Sequence, residues 1–301
     1  MSNLNRETKN ERRTHAREEA RLLREKQKKA QRRRRVLIQS GIGVAVIAVA
    51  LIVTLVIVTN QQNSVVSAAS AAGPKNMLSD GILFHGVNGK AVAVKTAAIP
   101  KNGKPVATDT KKLTKTANIV EYIDLQCPVC QEFLTTNLAQ EDKWVAEGKA
   151  TLEIHPIAIL TDPSNGGYST RAANAVACVA NYEPDSLLAV LKTMYADQPA
   201  EGSGGLPNSK IISMLSNSGA GGSKIAGCVN GDSYAKWVTA TTNSVTTGNF
   251  AGVATTPSNF AGTPTVFVNG QLYPLSDNTA VTDAGEFAAF VDSVKAGTTT
   301  S

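Results

Sequence analysis

The sequence predicts an α/β domain with a helical insertion, tethered behind a single apolar span near the N-terminus. Three observations carry this. Strand-like and helix-like segments follow the order β-β-β-α-β-(several α)-β-β-α without an internal repeat. An uncharged run, Val36–Val58, precedes them all. A Cys-x-x-Cys pair sits where a strand pattern turns into a helix pattern.

The apolar run is 23 residues long, with only Gln39, Ser40 and Thr54 as polar interruptions. As a helix it spans roughly 34 Å, enough for a hydrocarbon core of about 30 Å. It exceeds the usual signal-peptide core of about 7–15 residues. The small-residue pattern Ala69-Ser70-Ala71 lies downstream of it, far for a cleavage site, and a retained anchor is expected.

Charge supports that reading. Residues 1–35 carry 14 Lys/Arg against 5 Asp/Glu, so the tail holds +9 while the rest sums to −3. The net charge of +6 therefore belongs to the tail, and a nucleic-acid-binding role for the whole chain loses its support. Arg32–Arg35 abut the span on one side, and Thr59–Ser70 on the other has no basic residue. The expected topology is single-pass in the cell membrane, N-terminus cytoplasmic, residues 60–301 outside. All four cysteines fall in the outer part, where disulfides persist.

The expected organisation is a basic cytoplasmic tail over 1–35, a transmembrane helix over 36–58, a flexible stalk over 59–79 and a folded domain over 80–297. Gly81–Phe84 and Ala91–Val94 are β-type runs around the turn pair Asn88-Gly89. Pro100–Lys115 reads as a loop and Ala117–Asp124 as a buried strand. Gln131–Glu147 reads as a helix and Thr151–Ile159 as a second apolar strand. Tyr168–Asn181, Asp185–Tyr195, Lys210–Leu215 and Lys224–Thr241 are helical candidates in an insertion over about 165–245. Thr265–Val268, Asn269-Gly270 and Gln271–Tyr273 form a hairpin pattern, and Asp283–Lys295 closes as an amphipathic helix.

Cys127-Pro128-Val129-Cys130 opens the helix after the first long strand. Unpaired N–H groups and the dipole at a helix N-terminus stabilise a thiolate. Pro128 suits the first turn, having no N–H to satisfy. Cys127 is thus expected to be the attacking, exposed thiol and Cys130 the resolving one. The competing readings are half of a zinc site and a purely structural disulfide. A zinc site needs a second half, and Cys178 and Cys228 are isolated, with no adjacent His.

Val120-Glu121-Tyr122-Ile123-Asp124-Leu125-Gln126-Cys127-Pro128-Val129-Cys130 resembles the strand-to-helix signature of the DsbA-like branch of the thioredoxin superfamily. Gly262-Thr263-Pro264-Thr265-Val266-Phe267-Val268-Asn269-Gly270 resembles that branch's cis-proline loop and hairpin. The resemblance covers roughly residues 80–297 and implies a thioredoxin fold with a helical insertion. It implies that Pro264 is cis beside the dithiol, and that the backbone of Thr263 pairs with an extended client peptide. Glu121 matches the family's buried acid, with a raised pKa and a relay of the Cys130 proton implied; the alternative is an ordinary strand-edge acid. Two features depart from the pattern. Val129 stands where strongly oxidising members carry His, and Ala251–Ala261, the approach to Pro264, is longer than usual.

In an oxidising compartment Cys178 and Cys228 are expected to form a structural disulfide; a second redox pair and two unpaired thiols are the alternatives. His155 and His85 read as structural or surface residues. No phosphate loop, Ser-His-Asp arrangement or metal-ligand spacing is present in the sequence, and no cofactor is expected. The expected function is thiol oxidation in secreted or cell-surface proteins, with a membrane-embedded, quinone-linked redox partner implied by the resemblance. The rivals are an extracytoplasmic reductase or isomerase, and a tethered peptide-binding or chaperone module without turnover.

Overall fold

The computed structural model describes residues 71–107, 116–251, 253, 260–275 and 278–297. The chain divides into two units, Met1–Val65 and Val66–Ser301. The tail and the apolar run lie outside the described residues, and among those described no helix is long and apolar enough to cross a membrane.

Six strands form one sheet in the order β2-β1-β4-β3-β5-β6. They are β1 (Ile82–Val87), β2 (Lys90–Ala93), β3 (Ala117–Asp124), β4 (Ala150–Ile157), β5 (Thr265–Val268) and β6 (Gln271–Leu272). The two long apolar runs of the sequence, β3 and β4, lie parallel at the centre, with Ala117 opposite Ala150 and Asp124 opposite Ile157. A parallel pair needs a crossover, and helix α1 (Pro128–Ala146) supplies it. Both strands are covered on both faces, so that their polar residues, Asn118 apart, are buried with the rest. Strand β1 pairs antiparallel with β4, and β5 antiparallel with β3.

Both Asn-Gly pairs act as the sequence predicts. Asn88 and Gly89 join β1 to β2, and Asn269 and Gly270 join β5 to β6, all four with positive φ of 49–80°. That is the hairpin geometry Asn-Gly adopts at low cost.

Side-chain alternation along β3 splits the core in two. Ile119 and Ile123 face Phe133, Leu134 and Leu138 of α1 and the helical layer beyond it. Val120 and Tyr122 face the other way, toward Ile157, Val245, Phe250 and Phe267. The helical insertion runs between β4 and β5 as α2 (Tyr168–Tyr182), α3 (Leu187–Ala196), α4 (Asn208–Asn217), α5 (Ser223–Asn230) and α6 (Ala235–Thr246). Two helices follow the sheet, α7 (Asn278–Thr282) and α8 (Ala284–Gly297).

Two expectations are corrected. Lys224–Thr241 is two helices, because Asp232 enters the left-handed region (φ 46°) and breaks the chain after α5. Asn174 of α2 then accepts from the Tyr234 N–H (2.8 Å) and anchors the start of α6. The stalk expected over 59–79 ends sooner. Met77 is fully buried, and the Asn76 amide donates to Ala180 O at 2.7 Å, so 71–79 belong to the domain. His155 sits inside β4, within the strand expected over Thr151–Ile159. It is buried and stacked on Tyr122 at 4.4 Å between ring centroids.

Cys178 of α2 and Cys228 of α5 are joined in a disulfide inside the helical layer. The bridge closes a separation of 50 residues, worth up to about 4 kcal/mol in the chain-entropy account. Replacing both cysteines with alanine should lower unfolding free energy by 2–4 kcal/mol (~) in a urea titration, with the Cys127–Cys130 pair still able to form its disulfide.

Candidate active site

The site begins where β3 runs out of sheet. Asp124, its last residue, is fully buried, and its carboxylate closes the turn that follows. It accepts from the N–H of Gln126 (2.9 Å), the N–H of Leu160 (2.9 Å) and the Ser169 hydroxyl (2.7 and 2.8 Å). Burial pushes this carboxyl up to about 6, against the pull of those hydrogen bonds. The Asp124 carbonyl takes the Cys127 N–H (3.1 Å) and the Tyr195 hydroxyl (3.2 Å). The turn therefore delivers Cys127 to the N-cap of α1 in an extended conformation, φ −78° and ψ 121°, with Pro128 as the first helical residue.

Cys127 and Cys130 face one another and differ in environment. The Cys130 thiol hydrogen-bonds to Cys127 and holds the Cys127 pKa below the usual cysteine range, although burial works against it. Burial foremost, then the neighbouring Cys127, drives Cys130 well above that range. A thiolate at Cys127 beside a thiol at Cys130 is the division of labour a nucleophile and its partner require. The expected exposure of Cys127 is corrected: it is 6% exposed against 0% for Cys130. The cause is the loop Gly262–Thr265 lying over it, where Thr263 O accepts from Cys127 Sγ at 3.2 Å. The Thr263–Pro264 peptide bond is cis, and Thr265 begins β5 opposite Tyr122. The loop thus reaches the sulfur from a strand paired to β3. Val129 points outward, 40% exposed, and brings no hydrogen-bond donor to either sulfur.

Glu121 is a fully buried acid and not a strand-edge one. It faces α1, where Glu141 is equally buried, and the two carboxyls are near enough to bias each other's protonation. Among the described residues no hydrogen-bond partner meets any of their four oxygens. Two carboxyls so placed are held toward their protonated forms. Burial raises Glu121 to about 7, and burial followed by the charge of Glu121 holds Glu141 well above the glutamate range. Cys130 and Glu141 lie on the same buried stripe of α1, with Phe133, Leu134, Asn137 and Leu138 between them.

Sequence reasoning passed over Asp124, Glu141 and Tyr195. Asp124 carried a signal, since an Asp that ends an apolar strand is a natural turn former. Glu141 carried one only once α1 is drawn as a helix, where 130, 134, 137, 138 and 141 share a face. Cys178 and Cys228, bonded to each other, do not complete a zinc site with Cys127 and Cys130. Most of the approach to Pro264, residues 252 and 254–259, lies outside the described residues.

A thioredoxin family model matches residues 114–292 of the chain. The chain belongs to the thioredoxin family. Solved structures are also similar to this thioredoxin-family chain. A disulfide oxidoreductase (DsbG) from Mycobacterium tuberculosis is 27% identical, over 67% of this chain and 88% of that one, with a TM-score of 0.47. DsbA from the same organism is 28% identical over 60% and 89%, with a TM-score of 0.46. MdbA, a thiol-disulfide oxidoreductase from Actinomyces oris, is 16% identical over 62% and 84%, with a TM-score of 0.48. No curated protein sequence matches the chain.

The acid pair makes a pH prediction for this thioredoxin domain. Both carboxyls titrate above the ordinary range, so the folded state keeps protons that the unfolded chain has released. Stability of the reduced protein should then fall as pH rises from the ordinary 4.5 through about 7, by up to ~1.4 kcal/mol per pH unit for each retained proton. Glu141→Gln removes one of these groups, and urea unfolding curves between about pH 5 and 8 should show a shallower fall.

Proposed function

We propose that the chain is a membrane-anchored thiol–disulfide oxidoreductase that introduces disulfides into secreted or cell-surface proteins through Cys127 and Cys130. The observation that carries this reading is the Cys127 sulfur, held low in pKa at a helix N-terminus and set against Thr263 of the cis-proline loop. A binding module without turnover has no use for two sulfurs poised so differently.

In the oxidised enzyme a client thiolate attacks Cys127 Sγ. The Cys127–Cys130 bond breaks, its electron pair leaves on Cys130, and Cys130 takes a proton. A second client thiolate attacks the client sulfur of the mixed disulfide and releases Cys127 as a thiolate. The client loses two electrons and the enzyme gains them. Glu121, a buried acid raised to about 7, is suited to supply the proton Cys130 takes and to accept it back on re-oxidation. A client strand running beside Thr263 and Pro264 would be aligned for the first attack. Re-oxidation falls to a membrane-embedded, quinone-linked partner, as it does in this branch.

The location rests on the +9 tail and the Val36–Val58 run. The basic side stays cytoplasmic, and residues from about 60 onward lie outside. The second reading, an extracytoplasmic reductase or isomerase, is favoured by one observation, the exposed, donor-free Val129 between the cysteines. The reduction potential of the pair separates the two: a value near that of thioredoxin indicates the reductase.

Cys130→Ser should accumulate mixed disulfides between Cys127 and client proteins on non-reducing gels, and Cys127→Ser should accumulate none. In the reduced wild type, Cys127 should alkylate faster than Cys130. Equal rates for the two thiols would remove the assignment of roles. Protease added outside intact cells should digest the cysteine-bearing domain and spare the basic tail, whereas a released protein starting near Ala72 would show that the apolar run is cleaved.

A further inference from the structure

Three glutamines join the dithiol turn to the loop after α3, and the join is reciprocal. From the turn, Gln126 Nε2 donates to Ala200 O (3.4 Å) and Ser203 O (3.2 Å), and Gln131 Nε2 donates to Tyr195 O (2.7 Å). From the loop, Gln198 Nε2 donates to Leu125 O and to Cys127 O, each at 3.1 Å. Both hydrogens of the Gln198 amide are thereby used, and the two carbonyls they take flank the nucleophile.

The Cys127 carbonyl also accepts the Gln131 N–H at 3.1 Å, so it is held from two directions. Fixing that carbonyl fixes ψ of Cys127 at its N-cap value of 121°. This angle decides whether the N–H groups of the first turn face the Cys127 sulfur. Pro128 contributes no N–H, so the thiolate depends on fewer donors than most helix N-termini offer. A turn free to rotate would turn those donors away.

We propose that Gln198 is the positioning residue of the dithiol, locking Cys127 into the N-cap geometry in which the helix stabilises its thiolate. This rests on the reading of Cys127 as nucleophile. It assigns the helical insertion a part in the chemistry, since Gln198 stands just after α3, 71 residues along the chain from Cys127. An amide does this without titrating. The alignment is therefore constant over the pH range in which Asp124, Cys127 and the Glu121–Glu141 pair change charge.

The test uses the full-length reduced protein and oxidised glutathione as the probe. In Gln198→Met, similar in length but without donors, the thiolate titration midpoint of Cys127, read by ultraviolet absorbance, should rise by about one pH unit. The rate with oxidised glutathione at neutral pH should fall about tenfold, the scale of two lost neutral hydrogen bonds. Gln126→Met is the comparison. It loosens the loop but keeps both Gln198 bonds, so its melting temperature should drop while midpoint and rate stay. Gln198→Asn, too short to reach both carbonyls, should repeat the Gln198→Met result should that variant fold poorly. A lower melting temperature with unmoved midpoint and rate in the Gln198 variants would overturn the positioning role alone. An equal shift in Gln126→Met would overturn it too, by assigning the effect to loop docking. A wild type whose Cys127 does not titrate below Cys130 would overturn the proposal together with the reading beneath it.

Discussion

The end of β3 is the constraint on which the site depends. A strand that stops inside a covered sheet leaves backbone groups with no ladder partner, and they must be satisfied within a few residues. Asp124 does most of this. Its carboxylate takes two N–H groups and a hydroxyl, and its carbonyl takes the Cys127 N–H and the Tyr195 hydroxyl. The turn so closed is three residues long and ends with a sulfur at the N-cap position of α1. Move the last strand residue by one and the sulfur leaves both the helix axis and the reach of Thr263.

Placing polar chemistry in a core has a cost, and the structure spreads it. Asp124, Glu121, Glu141 and Cys130 are all fully buried, and each is pushed toward its neutral form. Isolated buried charges would be ruinous; protonation of Glu121, Glu141 and Cys130, and the hydrogen bonds to Asp124, keep the count of unpaired charges low. The remainder of the core is conventional: aliphatic contacts between β3 and α1, an aromatic group of Phe133, Tyr273 and Phe287, and a disulfide-stapled helical layer. That layer supplies the margin against which the buried acids are tolerated, and through Gln198 it also touches the turn itself.

Which parts were legible in the sequence follows from how far apart the deciding residues lie. Local signals read well. The two Asn-Gly turns, the apolar runs of β3 and β4 and the Pro at the first helical position are each set by neighbouring residues, and all stand where the pattern put them. The helix break at Asp232 carried a local signal that was passed over, the turn formers Asn230-Gly231-Asp232-Ser233 with Gly231 as the cap of α5, while the anchor for the next helix comes from Asn174, 60 residues away. Cys127 was expected to be exposed because the helix N-terminus alone would leave it so. The loop that covers it comes from residue 263, and nothing near Cys127 records its approach. Glu141 and Gln198 stayed hidden for the same reason, as their partners are on another element.

The balance of forces at Cys127 bears on the direction of the redox reaction. A dithiol becomes more oxidising as its reduced form is stabilised, which means as the thiolate gains donors. Here the Cys130 thiol and the helix N-terminus favour the thiolate, while burial and the Asp124 carboxylate oppose it. Val129 adds nothing to the favourable side. The sum supports a pair less oxidising than one with a histidine before the second cysteine. Such a pair can still oxidise clients if the product disulfide is buried as the client folds, because the folding energy of the client then draws the exchange forward. In the oxidase role proposed above, such a pair would act best on proteins whose disulfides close within a folding core, and poorly on exposed, strained bridges.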